Sequence, residues 1–294
     1  MSCRGDRVSD RCHPPGGKRT VQDLIGEMLY PRLFAQAEAV RWRMQDIPWS
    51  KIERDAVSGG LVQLVREIAF AELTTMTATR RFLTDCADDV DLTQWIAVWF
   101  YEETKHPHAL LTWLHQLGEH VDTQFMQRGR PTAPFMRSRM GTLVTNVISE
   151  MVASAGYANL AARAPEPVLR LIARQLAADE ARHAASFYAY AQRHLERSTD
   201  PAADRRDALK ILYLWYASNP LVSHPVNEFY GRNEQRAEVG ETMKQIGFNL
   251  AAPRDRIFQL IGTLIDVELD GTVDLVALIQ NLGPPDRRRD DGAT

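Results

Sequence analysis

The sequence predicts an all-α protein. From Thr20 onward apolar residues recur at spacings of three and four, and alternating strand-like runs are few. The breaks between the periodic segments hold the Gly, Pro, Asn and Asp residues that start and stop helices.

The elements follow in order. A first helix is expected at about 21–44. Ser58-Gly59-Gly60 introduces a second at about 57–85, on which Leu61, Val65, Ile68, Glu72 and Met76 share a face. Asp88-Asp89-Val90-Asp91 introduces a third at about 91–118, whose apolar face runs through Trp95, Trp99, Leu110 and Trp113. A fourth, about 137–164, aligns Leu143, Val147, Glu150 and Tyr157, and Pro165 and Pro167 start a fifth at about 166–197, facing inward through Ile172, Leu176, Phe187 and Tyr190. A sixth at about 203–218 stops at Asn219-Pro220, and shorter helices follow near 235–249 and 253–280. No low-complexity linker interrupts residues 20–283, so these are read as one domain with its core at about 57–197, behind a disordered leader at 1–19 and before a solvated tail at 284–294.

Composition narrows the function classes. The chain has 294 residues, 45% hydrophobic and 25% charged, with a formal net charge of −3, so bulk charge points neither to nucleic acid nor to an anionic membrane. No apolar run approaches the roughly 20 residues a membrane span needs, and the start lacks a signal peptide's apolar core, so a cytoplasmic protein is expected. Cys3, Cys12 and Cys86 form no disulfide framework, and Cys12 with His13 is read as part of the unstructured leader rather than a metal site.

The segment YEETKHPH puts Glu103 and His106 three apart on an apolar helix face, and LAADEARH does the same with Glu180 and His183. One Glu-x-x-His is unremarkable, but two on apolar-faced helices are not. Burying an unpaired carboxylate costs several kcal/mol, so compensating positive charge is required. Glu72 and Glu150 are likewise single carboxylates among apolar neighbours, which completes the order Glu, Glu-x-x-His, Glu, Glu-x-x-His along four long helices. Two divalent cations cancel four inward carboxylates, with one imidazole for each metal and the carboxylates shared. A single metal would leave about two carboxylates uncompensated, and the His-Glu-x-x-His signature of zinc proteases is absent. Mixed oxygen and nitrogen ligands suit iron or manganese.

These residues resemble those of the soluble acyl-carrier-protein desaturases, members of the ferritin-like di-iron superfamily. WFYEETKHPHALLTWLHQLG is similar to that family's doubled Glu followed by an x-x-His step, and QLAADEARH to its AADE-x-RH motif; SNPLVSHPVNEFYG is more distantly similar. The resemblance implies a ferritin-like four-helix bundle with additional flanking and C-terminal helices, and it covers about residues 57–197. It implies two iron ions, manganese being admissible at one position, held by Glu72, Glu103, His106, Glu150, Glu180 and His183. Asp179 would accept a hydrogen bond from a ligand histidine across the bundle. Trp42 or Trp49 would lie on the electron route or pack in the core. The implied chemistry is dioxygen-dependent removal of hydrogens from an unactivated C–H position of a fatty acyl chain bound to acyl carrier protein, with electrons from a ferredoxin-like donor. A homodimer is implied as well. Met76, Trp99, Met151, Tyr157 and Phe187 are candidates for the apolar tunnel or for plain core. Arg128, Arg130, Arg137, Arg139, Arg41 and Arg43 are candidates for the carrier-protein surface.

The chain departs from the desaturase pattern at Ala153, where that family carries a hydroxyl residue one turn after the third-helix glutamate. An N-oxygenase or hydroxylase of a small metabolite is therefore the alternative. Arylamine N-oxygenases add a histidine one turn before the last glutamate, where this chain has Leu176. Metal storage or a metal-stabilised scaffold is a third possibility, disfavoured by the large helical region after Ser198.

Overall fold

The computed structural model describes residues 25–121, 138–216, 225–234, 236–249, 253–270 and 274–282. Among these the protein is all-α, without a strand. The leader, the tail, Cys3, Cys12, His13, Arg128, Arg130, Arg137 and the Asn219-Pro220 stop lie outside the described residues.

Helix α1 spans Tyr30–Val40 and three short 3₁₀ turns follow it, at Met44–Asp46, Trp49–Lys51 and Arg54–Ala56. The expected second helix is divided into α2, Gly59–Glu72, and α3, Thr75–Asp85; the expected third into α4, Val90–Glu103, and α5, Lys105–Gln116. Then come α6, Arg139–Arg163, and α7, Pro167–Glu196. The C-terminal part holds α8, Pro201–Tyr216, α9, Pro225–Asn233, α10, Ala237–Ile246, α11, Arg254–Ile265, and α12, Leu275–Asn281. The single helix expected at about 253–280 is thus two, because Asp266 ends α11 in the left-handed conformation (φ 57°).

The other two breaks also have local causes. Pro107 has no N–H to give Glu103, and its ring clashes with that residue's carbonyl, so the helix ends at Glu103 and restarts beyond Thr104. At the other break Thr74, Thr75 and Thr77 crowd a β-branched run, and Thr74 and Thr77 donate to the carbonyls three residues back, at 3.0 Å each. Thr75 Oγ1 reaches Glu103 Oε2 at 3.3 Å, tying one break to the other. The polar groups of the interior therefore come from five helices rather than four.

At the expected helix starts Ser58 and Asp89 accept from the backbone of α2 and α4, and Ser138 does the same for α6, each contributing about 1 kcal/mol. Buried Glu166 caps α7 through Val168 N at 3.0 Å and Leu169 N at 2.7 Å, and also accepts from Trp113 Nε1 at 2.7 Å. Helices α6 and α7 form the most extensive pair; α2 packs on α5, α3 on α4, and α10 on α2. Asp91 fixes α1 to this assembly by accepting from Leu29 N at 2.9 Å and Tyr30 N at 2.7 Å while pairing with Arg193. The segment following α10 lies against α6, where Phe248 rests on Gly156: a Cβ there would stand 2.7 Å from the ring.

Candidate metal centre

Glu72 ends α2, Glu103 ends α4, His106 lies in the first turn of α5, Glu150 is midway along α6, and Glu180 and His183 are one turn apart on α7. The fold brings all six together. One ligand atom from each of Glu72, Glu103, His106 and Glu180 lies within 4.8 Å of the others, and the same holds for Glu103, Glu150, Glu180 and His183. The two sets share Glu103 and Glu180.

The imidazoles are arranged alike. Each presents Nδ1 to the cluster: His106 Nδ1 is 3.3 Å from Glu180 Oε1 and 3.7 Å from both Glu72 Oε2 and Glu103 Oε2; His183 Nδ1 is 3.2 Å from Glu180 Oε2 and 3.8 Å from Glu150 Oε2. Each turns Nε2 outward to a carboxylate, His106 to Asp179 Oδ2 at 3.3 Å and His183 to Glu102 Oε2 at 3.2 Å. The rings stack with centroids 6.0 Å apart. Asp179 takes the expected position across from His106. Glu102 was not singled out by sequence, although an acid immediately precedes the shared glutamate in both motifs. Arg182 joins the two outer carboxylates, donating to Asp179 Oδ1 and, at 3.3 Å, to Glu102 Oε1.

Other side chains orient the inner carboxylates. Tyr157 donates to Glu72 Oε1 and Trp99 Nε1 to Glu150 Oε1 at 3.1 Å. Of the tryptophans expected near the electron route, Trp42 donates to Asp179 Oδ2 at 2.8 Å, whereas Trp49 donates to the Met44 carbonyl at 3.1 Å. Lys105 stands 4.6 Å above the Trp42 ring and 3.6 Å from Asp179.

Electrostatics explains what the cluster lacks. Burial opposes charge on both imidazoles, yet Glu103 and Glu180 around His106, and Glu102, Glu103, Glu150 and Glu180 around His183, hold both well above the ordinary histidine range. Burial, reinforced by the charge of Glu180, raises Glu103 to about 7 and lifts Glu150 well above the carboxylate range. Burial also pushes Glu180 upward, but the charge of His106, together with hydrogen bonding to Glu150 and His183, brings it below that range. Asp179 and Glu102 are likewise lowered in spite of burial, by His106 and His183 respectively. Without cations, this interior tolerates its carboxylates by retaining protons.

Among the buried side-chain atoms that lack a hydrogen bond, two belong to the six-residue cluster. His106 Nδ1 and Glu103 Oε1 make no hydrogen bond. Glu103 Oε1 is only 2.9 Å from His183 Nδ1, a contact between charged groups without hydrogen-bond alignment. A cation would satisfy both. The donor set therefore fits a metal, and the buried carboxylate and histidine groups could coordinate one.

The remaining expected residues are dispersed. Tyr157, alone of the five tunnel candidates, lines a crevice of about 50 Å³ against Glu72, with Ile68, Ala71, Ala153, Phe229, Tyr230 and Phe248 among its walls. Met76 is exposed, Trp99 holds Glu150, Phe187 packs edge-on against Trp99, and Met151 packs on the core. Arg139 is engaged by Asp88 at 2.5 Å and Arg41 by Glu38 at 2.5 Å, while Arg43 is exposed. Cys86 is buried, and burial raises its thiol to about 11, which makes it unreactive. No helix among the described residues is long and apolar enough to cross a membrane. Neither a protein-family model nor a curated protein matches the chain.

Proposed function

We propose that the protein is an oxygen-dependent, non-haem di-iron oxidoreductase that removes hydrogens from an unactivated C–H position of a fatty acyl chain carried by acyl carrier protein. The observation that carries this is the pair of four-residue sets overlapping at Glu103 and Glu180, which suits two cations better than one. Glu72 and His106 would complete one site, Glu150 and His183 the other. Iron supplies dioxygen activation and one-electron chemistry when bound.

The chain's own groups do the rest. Glu102 and Asp179 fix which nitrogen of each imidazole faces inward. Trp95, Trp99 and Phe187 keep water from the His183 side, all being buried. The hydrogen-bonded line Trp42, Asp179, His106 supports delivery of electrons from a ferredoxin-like donor. The crevice at Glu72 supports approach of substrate along apolar walls, with Tyr157 holding Glu72 by one oxygen. The resemblance further supports a cytoplasmic homodimer.

A second possibility has its own support. The crevice is compact and Ala153 brings no hydroxyl to it, which favours hydroxylation or N-oxygenation of a small metabolite. Mass spectrometry after aerobic turnover with acyl carrier conjugates, free acids and small amines separates the two. Loss of two hydrogens from an acyl chain supports desaturation, gain of oxygen supports the second possibility, and oxygen uptake without any altered organic product contradicts both.

A further inference from the structure

Glu102 and Asp179, which orient the two imidazoles, are each paired with a cation as well. Arg182 donates to both, to Asp179 Oδ1 and, at 3.3 Å, to Glu102 Oε1, and it is tethered by a bond from Nη1 to the Ala178 carbonyl at 3.1 Å. Lys105 takes the other oxygen of Asp179, its Nζ standing 3.6 Å from Oδ2. That Nζ is buried without a hydrogen bond, so it meets Asp179 and the Trp42 ring, 4.6 Å away, through charge alone.

We propose that Arg182 and Lys105 set the oxidation state the metal centre favours: by neutralising Glu102 and Asp179 they make it electrically balanced with two divalent cations and hold back the trivalent state. The inference rests on the dinuclear reading above. The inner carboxylates Glu72, Glu103, Glu150 and Glu180 match two divalent cations, since a ligating imidazole is neutral. The outer pair is matched by Arg182 and Lys105. A trivalent pair therefore adds positive charge that these six carboxylates do not balance, and an unbalanced charge is costly in a buried site. The centre is accordingly easier to reduce than its ligands alone would make it. Both residues act through the carboxylates rather than on a substrate, so they are positioning residues whose contribution is charge.

Chelator competition on the full-length protein with Zn²⁺ and Ga³⁺, redox-inactive cations of the two charges, tests this. Arg182→Gln keeps an amide donor toward Glu102 and Asp179 but removes the charge, and Lys105→Met removes the charge from a stem of similar length. Each should raise the ratio of Ga³⁺ to Zn²⁺ affinity about tenfold, whatever happens to the two affinities separately. Arg182→Lys, which restores the charge without the planar fork, should bring the ratio back to that of the wild type. Loss of imidazole orientation alone would weaken both ions by the same factor. An unchanged ratio in Arg182→Gln or Lys105→Met, or a ratio in Arg182→Lys as high as in Arg182→Gln, would therefore overturn the proposal; if one of the neutral variants does not fold, the other decides. Fewer than two Zn²⁺ per wild-type chain would sink the dinuclear reading and this proposal with it, whereas two Zn²⁺ with an unmoved ratio would sink this proposal alone.

Discussion

Glu102 and Asp179 each stand one residue before a shared glutamate, and each crosses to the histidine of the opposite motif. Replacing Glu102 with Gln should leave the fold intact but weaken metal binding about 10- to 100-fold, read by competition with a chelator. Glu103→Ala or His183→Ala should remove most of about two iron ions per chain, measured by elemental analysis; full stoichiometry in either variant would show the ligand assignment wrong. The protons retained by the metal-free cluster set a pH dependence of definite sign. Glu103 is raised from 4.5 to about 7, so the folded state binds its proton more tightly and that stabilisation is present below about pH 4.5 and lost as the pH rises through 7. His106 and His183, raised above 6.5, act in the same direction over a higher window. Metal-stripped protein should therefore show a falling urea midpoint from pH 5 to 8, and iron should flatten that fall; a rising midpoint in the stripped protein would contradict the assignment. The six clustered residues were legible in sequence because Glu and His recur at a spacing of three in two apolar segments, and because Glu72 and Glu150 are single carboxylates among apolar neighbours. Glu102 was not, because a neighbouring position points about 100° away around the helix and its partner is distant in sequence.

At the scale of elements, the apolar periodicity located the helices but not the breaks at Leu73–Thr74 and Thr104. Periodicity persists across a kink when the apolar face is retained on both sides, so neither break disturbs the pattern. Pro107 was the available signal, since a proline within a helical run ends or bends it. The break gives Glu103 and His106 a relation that an unbroken helix would not. Pro107→Ala should restore helical continuity and leave the metal-free protein at least as stable, because proline disfavours a helix interior by about 3 kcal/mol. It should also weaken metal binding by about tenfold or more as Glu103 turns relative to His106. Thermal unfolding of metal-stripped protein alongside chelator competition measures the two effects, and unchanged metal affinity would show that the break does not position the cluster.

At the scale of the whole molecule, the C-terminal helices complete the enclosure rather than stand apart. Helix α10 packs on α2, Phe248 rests on Gly156 of α6, and Phe229, Tyr230 and Phe248 wall the crevice at Glu72. None of this was legible in sequence, because the contacts join segments distant along the chain, whereas the all-α class followed from local periodicity. The proposed cations would stand between Glu103 and Glu180 in this enclosed interior, and crystals of iron-loaded protein test that directly. Anomalous scattering at the iron edge should give two peaks about 3.5–4 Å apart, flanked by those two carboxylates, one beside His106 and the other beside His183. A single peak, or peaks only on the protein surface, would contradict the dinuclear centre.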